Sequence, residues 1–479
     1  MTVLPDAQKI RIPGVDSDVN AQINGLLGEI HKRRLTNVIR QSYYDNKRAI
    51  HQIGTLIPPQ YFRLGLALGW SAKAVDALAR RCNLLGFTWA DGDLEALGGT
   101  DLWDSNHLGS EVDAAIVAAL IHGPAFLVNT VGEEGEPSSL VHVLDATEAT
   151  GTWNRRRRSL DDLLSITGRE GDGRVQSLAL YLDGRTLIAD RTDGKWSHEW
   201  QDHEYGVPAE VLAYKPRPKR PFGTSRITKP IMGLQDAAVR GLIRREGHMD
   251  VYSYPELWML GADQSIFKNA DGTQMDAWSI RLGRIKGIPD DKDAPTDALA
   301  RADVKQIPGS DPAPHHKDIN TLAKLFAREA SLPDSAVAIS DMVNPTSAES
   351  YDASQYELIA EAEGAVDDFS PALRRSFVRG LAIKNEIPVD EIPDTWKSIH
   401  DNWRNPRYES RAALADAGTK QLSAVPWLAE TEVGLELLGL TPDQVKNALA
   451  QKRRIAGTDA LRTILDRAAS RTVADGDVA

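Results

Sequence analysis

A proline-rich connector, Pro216-Arg217-Pro218-Lys219-Arg220-Pro221-Phe222-Gly223-Thr224-Ser225, leads into a helical repeat that is interrupted by a strand-rich stretch, resumes, stops at a proline, and is followed by a loop and a much longer helical run. That order of parts constrains the chain more than any single side chain. Ile227, Ile231, Leu234, Ala238 and Leu242 recur at helical spacing and predict one apolar stripe. Pro230 is tolerated in a first turn, so the helix is expected to start at Thr228 and to end near Gly247. Arg240, Arg244 and Arg245 then fall in its last turn, where cations suit the negative end of the helix dipole. Tyr252 to Ser310 reads as a small separate unit. Strand-like runs at Glu256–Leu260, Trp278–Leu282 and Val304–Ile307 surround an acidic excursion, Asp290-Asp291-Lys292-Asp293. A second helix is expected from Asp318 to Ala330, with Ile319, Leu322, Leu325 and Phe326 on one face and Leu332-Pro333 ending it.

After an exposed loop, Ser340 to Asn344, comes Asn344-Pro345-Thr346-Ser347-Ala348-Glu349. Thr346 and Glu349 have the spacing of a capping box, so a helix starts here. It is predicted to run to Ile383, bent or restarted at Ser370-Pro371.

Upstream, Asn20 to Arg81 is helical in pattern, with Ile23, Leu26, Leu27 and Ile30 on one stripe and Val75, Leu78 and Ala79 on another; Pro58-Pro59 must break it. The texture then changes to short strands at Gly86–Trp89, Phe126–Asn129, Leu140–Leu144, Ser177–Leu182, Leu187–Asp190 and Val211–Tyr214, with one helix, Glu111–Ile121, among them. Asp183-Gly184 and Asp193-Gly194 predict hairpin turns. Beyond Asn405-Pro406 the chain is Ala-rich and helical, with Thr441 as a cap and Pro442 at a first helical position. The small, acidic tail after Arg471 is expected to be disordered.

Composition narrows the function. A net charge of −12 over 479 residues argues against a surface built to grip nucleic acid tightly, which needs clustered cations to displace phosphate counterions. The single cysteine, Cys82, excludes internal disulfides, and no Cys/His spacing suits a structural metal. The chain reads as intracellular: Met1 to Val19 lacks signal-peptide order, and the most apolar run, Ala114 to Val128, is broken by His122, Gly123 and Pro124. Neither a membrane nor a cofactor is expected.

Enzyme motifs are scarce. GxxxxGK[ST], HExxH and GxSxG are absent, and Gly168, Gly171 and Gly173 do not match a dinucleotide fingerprint. His315-His316 lacks a nearby third ligand and is expected in solvent, as is the Asp290, Asp291 and Asp293 loop. Arg155-Arg156-Arg157-Arg158 is the strongest basic cluster. It reads first as an exposed loop, partly neutralised by Asp161 and Asp162 or by a partner subunit, and second as a phosphate contact.

The order of parts resembles that of portal proteins of tailed bacteriophages, in the branch common to siphophages of actinobacteria. The resemblance covers most of the chain. It rests on Tyr43-Tyr44-Asp45, the run Trp70 to Phe87, Phe222-Gly223-Thr224-Ser225 before a helix, and Asn344 to Glu349, in this order. It implies an α+β portal architecture: a wing over residues 1–223, stem helices over 224–249 and 312–332, a clip over 250–311, a tunnel loop, long helix and wing return over 333–404, a helical crown over 405–471, and a disordered tail from 472.

The family further implies a non-enzymatic dodecameric ring at one capsid vertex of the virion, assembled in the host cytoplasm. Double-stranded DNA passes through it without sequence specificity. Its partners would be the terminase large subunit, a head–tail adaptor, and the major capsid and scaffolding proteins. Asp341, Met342, Val343, Asn344 and Pro345 are the candidate channel-facing loop, because Pro and Asn favour a turn between helices. Arg240, Arg244, Arg245, Lys317, Lys324 and Arg328 on the stem would meet either DNA or acids of a neighbouring subunit, and Trp258, Trp278, Asp290 and Asp291 on the clip would dock a partner. An unrecognised nucleic-acid processing enzyme and a head–tail adaptor ring are the alternatives.

Overall fold

The computed structural model describes residues 9–47, 66–252, 256–260, 268, 271–273, 295–296, 303–307, 311–338, 348–407, 411–441 and 444–455. It is a mixed helix and sheet fold, and its contacts divide it into two units: Met1–Asn37 with Asp76–Ser225 and Tyr356–Ala479, and Val38–Val75 with Arg226–Gln355.

In the first unit, helix α1 (Ser17–Tyr44) lays Ile23, Leu26, Leu27 and Ile30 on a sheet face built from Leu164, Ile166, Leu178, Leu180 and Leu187. The predicted stripe is the buried one. The extended residues before α1 are tied to it by asparagine amides that imitate a strand partner. Asn24 accepts the Ile10 N–H (2.8 Å) through Oδ1 and donates Nδ2 to Ile10 O (2.7 Å), which seats Ile10 in the same core.

That sheet is an antiparallel meander of β4 (Ala149–Asn154), β5 (Ser159–Arg169), β6 (Val175–Leu182), β7 (Arg185–Thr192) and β8 (Lys195–Asp202). Both predicted hairpins are present, with Leu182 opposite Arg185 and Thr192 opposite Lys195. Asp193 (φ 52°) and Gly194 (φ 78°) both take the left-handed region, as the favoured two-residue turn requires. Strands β4, β5 and β8 were not expected. β5 carries Asp161-Asp162 and irregular registers, and β8 alternates half-buried Trp196 and Trp200 with exposed polar residues, so neither forms a continuous apolar run.

A second sheet orders β3 (Ser139–Asp145), β2 (Pro124–Val131) and β9 (Ala209–Ala213), all antiparallel. The apolar run predicted to break at His122, Gly123 and Pro124 does so. Helix α4 (Leu108–His122) ends as Gly123, at φ 112°, donates to Ala119 O (2.8 Å), and Pro124 opens β2. A short helix, α3 (Gly99–Ser105), precedes α4, so two helices rather than one stand among these strands. Strand β1 (Leu84–Trp89) pairs with β12 (Ile399–Trp403), bringing the chain back after its longest helix.

The Phe222-Gly223-Thr224-Ser225 signature is structural. Gly223 has φ 66°, and a Cβ there would stand 2.2 Å from Tyr214 O. Thr224 N–H donates to Tyr214 O (2.7 Å) and Ser225 Oγ to Ile121 O (2.5 Å), while Phe222 meets Phe126 and Trp153 edge-on. Only glycine allows that approach.

In the second unit, α5 (Lys229–Tyr252) and α6 (Ala313–Glu329) pack antiparallel, since Gly241 abuts Ile319 and His248 meets His315. Between them in sequence lies the antiparallel pair β10 (Glu256–Leu260) and β11 (Asp303–Ile307). Helix α5 opens one residue after Thr228 but does not end at Gly247. Gly in a helix interior costs only ~1 kcal/mol, which the packing of Val239 and Ile243 with Leu66 and Leu68 offsets. Arg240, Arg244 and Arg245 are therefore interior residues of α5, not its last turn. Of the predicted α5 stripe, Ile227, Ile231 and Ala238 are buried, while Leu234 and Leu242 are half-buried.

Helix α2 (Trp70–Ala79) begins in this unit, where Trp70 tilts onto Phe326 (5.2 Å between centroids) and Ser71 N–H donates to Gln235 Oε1 (2.8 Å). Val75 is buried here and Leu78 in the first unit. Tyr43 of the Tyr43-Tyr44-Asp45 motif donates its hydroxyl to Asp236 Oδ2 (2.8 Å). The Arg226 guanidinium, 6% exposed, donates Nε to Ala74 O (2.6 Å) and Nη2 to Ala330 O (2.5 Å).

Helix α7 (Ala348–Lys384) runs unbroken through Pro371, against the expected restart. An interior proline costs ~3 kcal/mol. Buried Phe369, Leu373 and Phe377 around it offset that, at about 1.5–3 kcal/mol for each fully buried side chain. Ser370 Oγ also lies 2.5 Å from Asp401 Oδ2 and accepts from Trp403 Nε1 (3.0 Å), fastening the helix beside its proline. Farther on are α8 (Arg411–Ala424) and α9 (Glu432–Leu437). The Thr441 cap is present: its N–H donates to Gln444 Oε1 (3.0 Å) while Oγ1 accepts from Gln444 N (3.4 Å). Pro58-Pro59, Trp278–Leu282, Thr346, Pro442 and the tail from Arg471 lie outside the described residues.

Gly223→Ala is expected to cost more than the ~1–3 kcal/mol of a strained left-handed residue, because the obstructing atom is backbone. Gly171→Ala, with open space around it, should stay within about 0.5 kcal/mol of the parent. Urea unfolding of both variants checks the contrast. Arg226→Met should lose about 3 kcal/mol in the same assay, since it strips two buried carbonyls of a charged donor.

Candidate functional site

The candidate residues described in the structure gather on the α5/α6 pair. Lys317, Lys324 and Arg328 are spaced by seven and four, which at about 3.6 residues per turn puts them on one side of α6. All three are exposed. Arg328 sits in the last turn of α6, so there a cation does complement the helix dipole. On α5, Arg244 is exposed and Arg240, four residues earlier, is half-buried on the same side. Arg245 is half-buried, and its Nε is shielded from solvent without a hydrogen-bond partner.

Among the described residues, none of these six cations forms an ion pair within its own chain. The acids of α6, Asp318 and Glu329, are also exposed. On a helical projection they lie to one side of the Lys317, Lys324, Arg328 row, with Leu325 between. Leu325 was expected in the packed face and instead is 46% exposed; Ala323, Phe326 and Ala327 make that face. The reason is phase. Leu325 follows Phe326's neighbour position by one step of 100°, too far round the helix to share its core.

His248 and His315 meet edge-on with centroids 5.0 Å apart, and His316 is exposed. No group of three or more potential ligands that could hold a metal occurs among the described residues. No described helix is long and apolar enough to cross a membrane. What the pair presents is a charged surface suited to Coulombic contact with something outside the chain.

Trp258 lies in β10 opposite Lys305 of β11. Trp278, Asp290 and Asp291, and the loop Asp341, Met342, Val343, Asn344 and Pro345, lie outside the described residues. Sequence reasoning missed Arg226, for which no spacing or motif distinguishes a buried arginine from an exposed one. It also missed Glu210 of β9, which is 2% exposed and accepts from Arg375 Nε and Arg379 Nη2, each at 2.8 Å. An acid inside an otherwise apolar strand was the available signal.

Residues 27–456 match the family model described as phage portal protein, SPP1 Gp6-like. The chain is 24% identical to the portal protein of Mycobacterium phage L5 over 426 residues, covering 87% of this chain and 84% of that protein. It is 24% identical to the portal protein of Mycobacterium phage D29 over 388 residues, covering 79% and 77%. Solved structures similar to it include the virion of a native gene transfer agent particle (15% identity, 78% of this chain and 90% of that chain, TM-score 0.39). Another is the neck of an empty particle of that kind computed with C6 symmetry (15% identity, 78% and 91%, TM-score 0.42). With a single family model spanning both units and nearly every described element, the chain belongs to the SPP1 Gp6-like family of phage portal proteins.

Proposed function

We propose that this portal protein is the non-enzymatic subunit of a dodecameric ring at one vertex of a tailed-phage capsid, through which double-stranded DNA enters during packaging and leaves during ejection. The family match across residues 27–456 carries the reading. In this reading residues 1–223 are the wing, α5 and α6 the stem, the β10/β11 region the clip, α7 the long helix behind the tunnel loop, and the helices after residue 405 the crown. The clip, with Trp258, Trp278, Asp290 and Asp291, docks the terminase large subunit and later a head–tail adaptor. Capsid and scaffolding proteins meet the ring during assembly in the host cytoplasm.

Electrostatics supports it. Each neutralised phosphate adds a salt-dependent increment to affinity, and a ring multiplies that increment, so a conduit must hold its cargo loosely. A net charge of −12 suits such a conduit. The stem cations that find no acid in their own chain then have a natural partner in the acids of the neighbouring subunit. A row of cations and a pair of acids on one exposed helix form a heterologous surface of the kind that closes into rings.

Purified protein should image as rings by electron microscopy; protein that stays monomeric under every assembly condition would falsify the reading. Lys317→Glu with Lys324→Glu and Arg328→Glu should abolish rings while leaving the fold intact by circular dichroism. Rings that persist but package poorly would instead turn these side chains toward DNA. Deleting Asp341 to Val343 should preserve rings and reduce packaged DNA in a packaging assay, and normal packaging would remove the loop's assigned role.

A further inference from the structure

The four-arginine run that the ring reading leaves unused forms the turn of the β4–β5 hairpin, and all four residues are exposed. The turn is held rigidly. Asn154 Oδ1 accepts the backbone N–H of Arg156 and of Arg157, each at 2.9 Å, and Arg158 N–H closes onto Asn154 O (2.8 Å). Arg158 takes φ 54°, so the four side chains leave a tight, fixed tip rather than a loose loop.

The two following aspartates do not neutralise the tip as expected from sequence. Asp161 pairs with Arg157 alone and accepts from Asn154 Nδ2 (3.0 Å); Asp183 Oδ2 is 3.8 Å from the same Arg157 guanidinium. Asp162 turns inward, 4% exposed, accepting from Gln22 Nε2 (2.5 Å) and the Thr152 N–H (2.7 Å). Among the described residues, no acid pairs with Arg155, Arg156 or Arg158. Three guanidiniums with no counter-charge, on a preorganised turn, stand out on a chain whose net charge is −12.

The chemistry of the tip selects its partner class. A protein interface needs an apolar anchor at its centre, and from Trp153 to Leu160 no large apolar side chain is exposed. Single-stranded nucleic acid needs aromatic platforms for base stacking, and Trp153 is half-buried against Phe222. Guanidinium forks match phosphate oxygens in pairs of hydrogen bonds and need neither feature. We propose that Arg155, Arg156 and Arg158 form a contact for the phosphodiester backbone of double-stranded DNA, made without base recognition. This site is separate from the stem and the tunnel loop, and it does not depend on the ring reading.

The test is the salt dependence of binding of the full-length chain to a mixed-sequence DNA duplex. Log K should fall linearly with log salt concentration. In an Arg155→Gln, Arg156→Gln, Arg158→Gln triple variant the slope should become shallower by about 2.7, at about 0.9 for each lost phosphate contact. The corresponding triple lysine variant should keep most of the slope. Arg174→Gln, an exposed arginine already paired with Asp172 (3.0 Å), should leave the slope unchanged. Melting curves of each variant verify that the hairpin remains folded. An unchanged slope in a folded triple glutamine variant overturns the proposal, whether or not that variant also loses self-association. So does competition by polyglutamate that equals the duplex charge for charge. Ring formation, scored separately by microscopy, can succeed or fail without altering either reading.

Discussion

A carboxylate buried in a strand sets the arrangement of the larger unit. Glu210 sits mid-strand in β9 with 2% of its surface exposed, and an unpaired charge there would cost several kcal/mol. It is satisfied by two arginines one helical turn apart on α7, Arg375 and Arg379, so strand and helix can meet in only one axial register. Next to it the Asn129 amide donates to Ser376 O (3.0 Å), repeating the same alignment from β2. With α7 held at that height, Phe87 of β1 stacks on Phe377 (4.0 Å between centroids), and β12 returns to pair with β1. Segments hundreds of residues apart therefore share one alignment that originates in a single charge.

The α5/α6 pair is organised by a different economy. Its inner face uses small or aromatic residues, Gly241 against Ile319 and Phe326 against Trp70, to bring the helices close. Its polar needs are met by buried, directional bonds from Arg226 and Gln235. The outer face keeps its cations unneutralised. Inner face and outer face thus serve separate ends: the first stabilises the unit, and the second leaves charge available to whatever lies beyond the chain. The hairpin tip at Arg155–Arg158 applies the same division on a smaller scale, with Asn154 holding the backbone and the guanidiniums left free.

Much of this was legible in the sequence where the signal was local. Asp193-Gly194 specified a tight turn because its backbone angles demand such residues, and Gly123-Pro124 divided an apolar run into helix and strand. Helical stripes at Ile23, Leu26, Leu27 and Ile30 identified a buried face because periodicity and burial have one cause. Local rules failed where distant packing outweighed them. Pro371 lies within a continuous helix because neighbouring core residues hold it, and Gly247 does not end α5 because tertiary contacts continue past it. β8 is a strand through its hydrogen bonds to β7, with little apolar content of its own.

By itself the sequence determined the order of parts, the turns, the faces of the helices and the family resemblance, since each depends on residues close together in the chain. Only the tertiary structure decided which charges are spent and which are left over. Asp161 and Asp162 are neighbours in sequence, yet one meets Arg157 and the other turns into the protein to meet Gln22. Arg226 and Arg244 are the same residue type on adjoining segments, yet one is buried on carbonyls and the other faces solvent. Charge partnership depends on distances of a few ångströms between remote segments, and those distances exist only once the chain has folded.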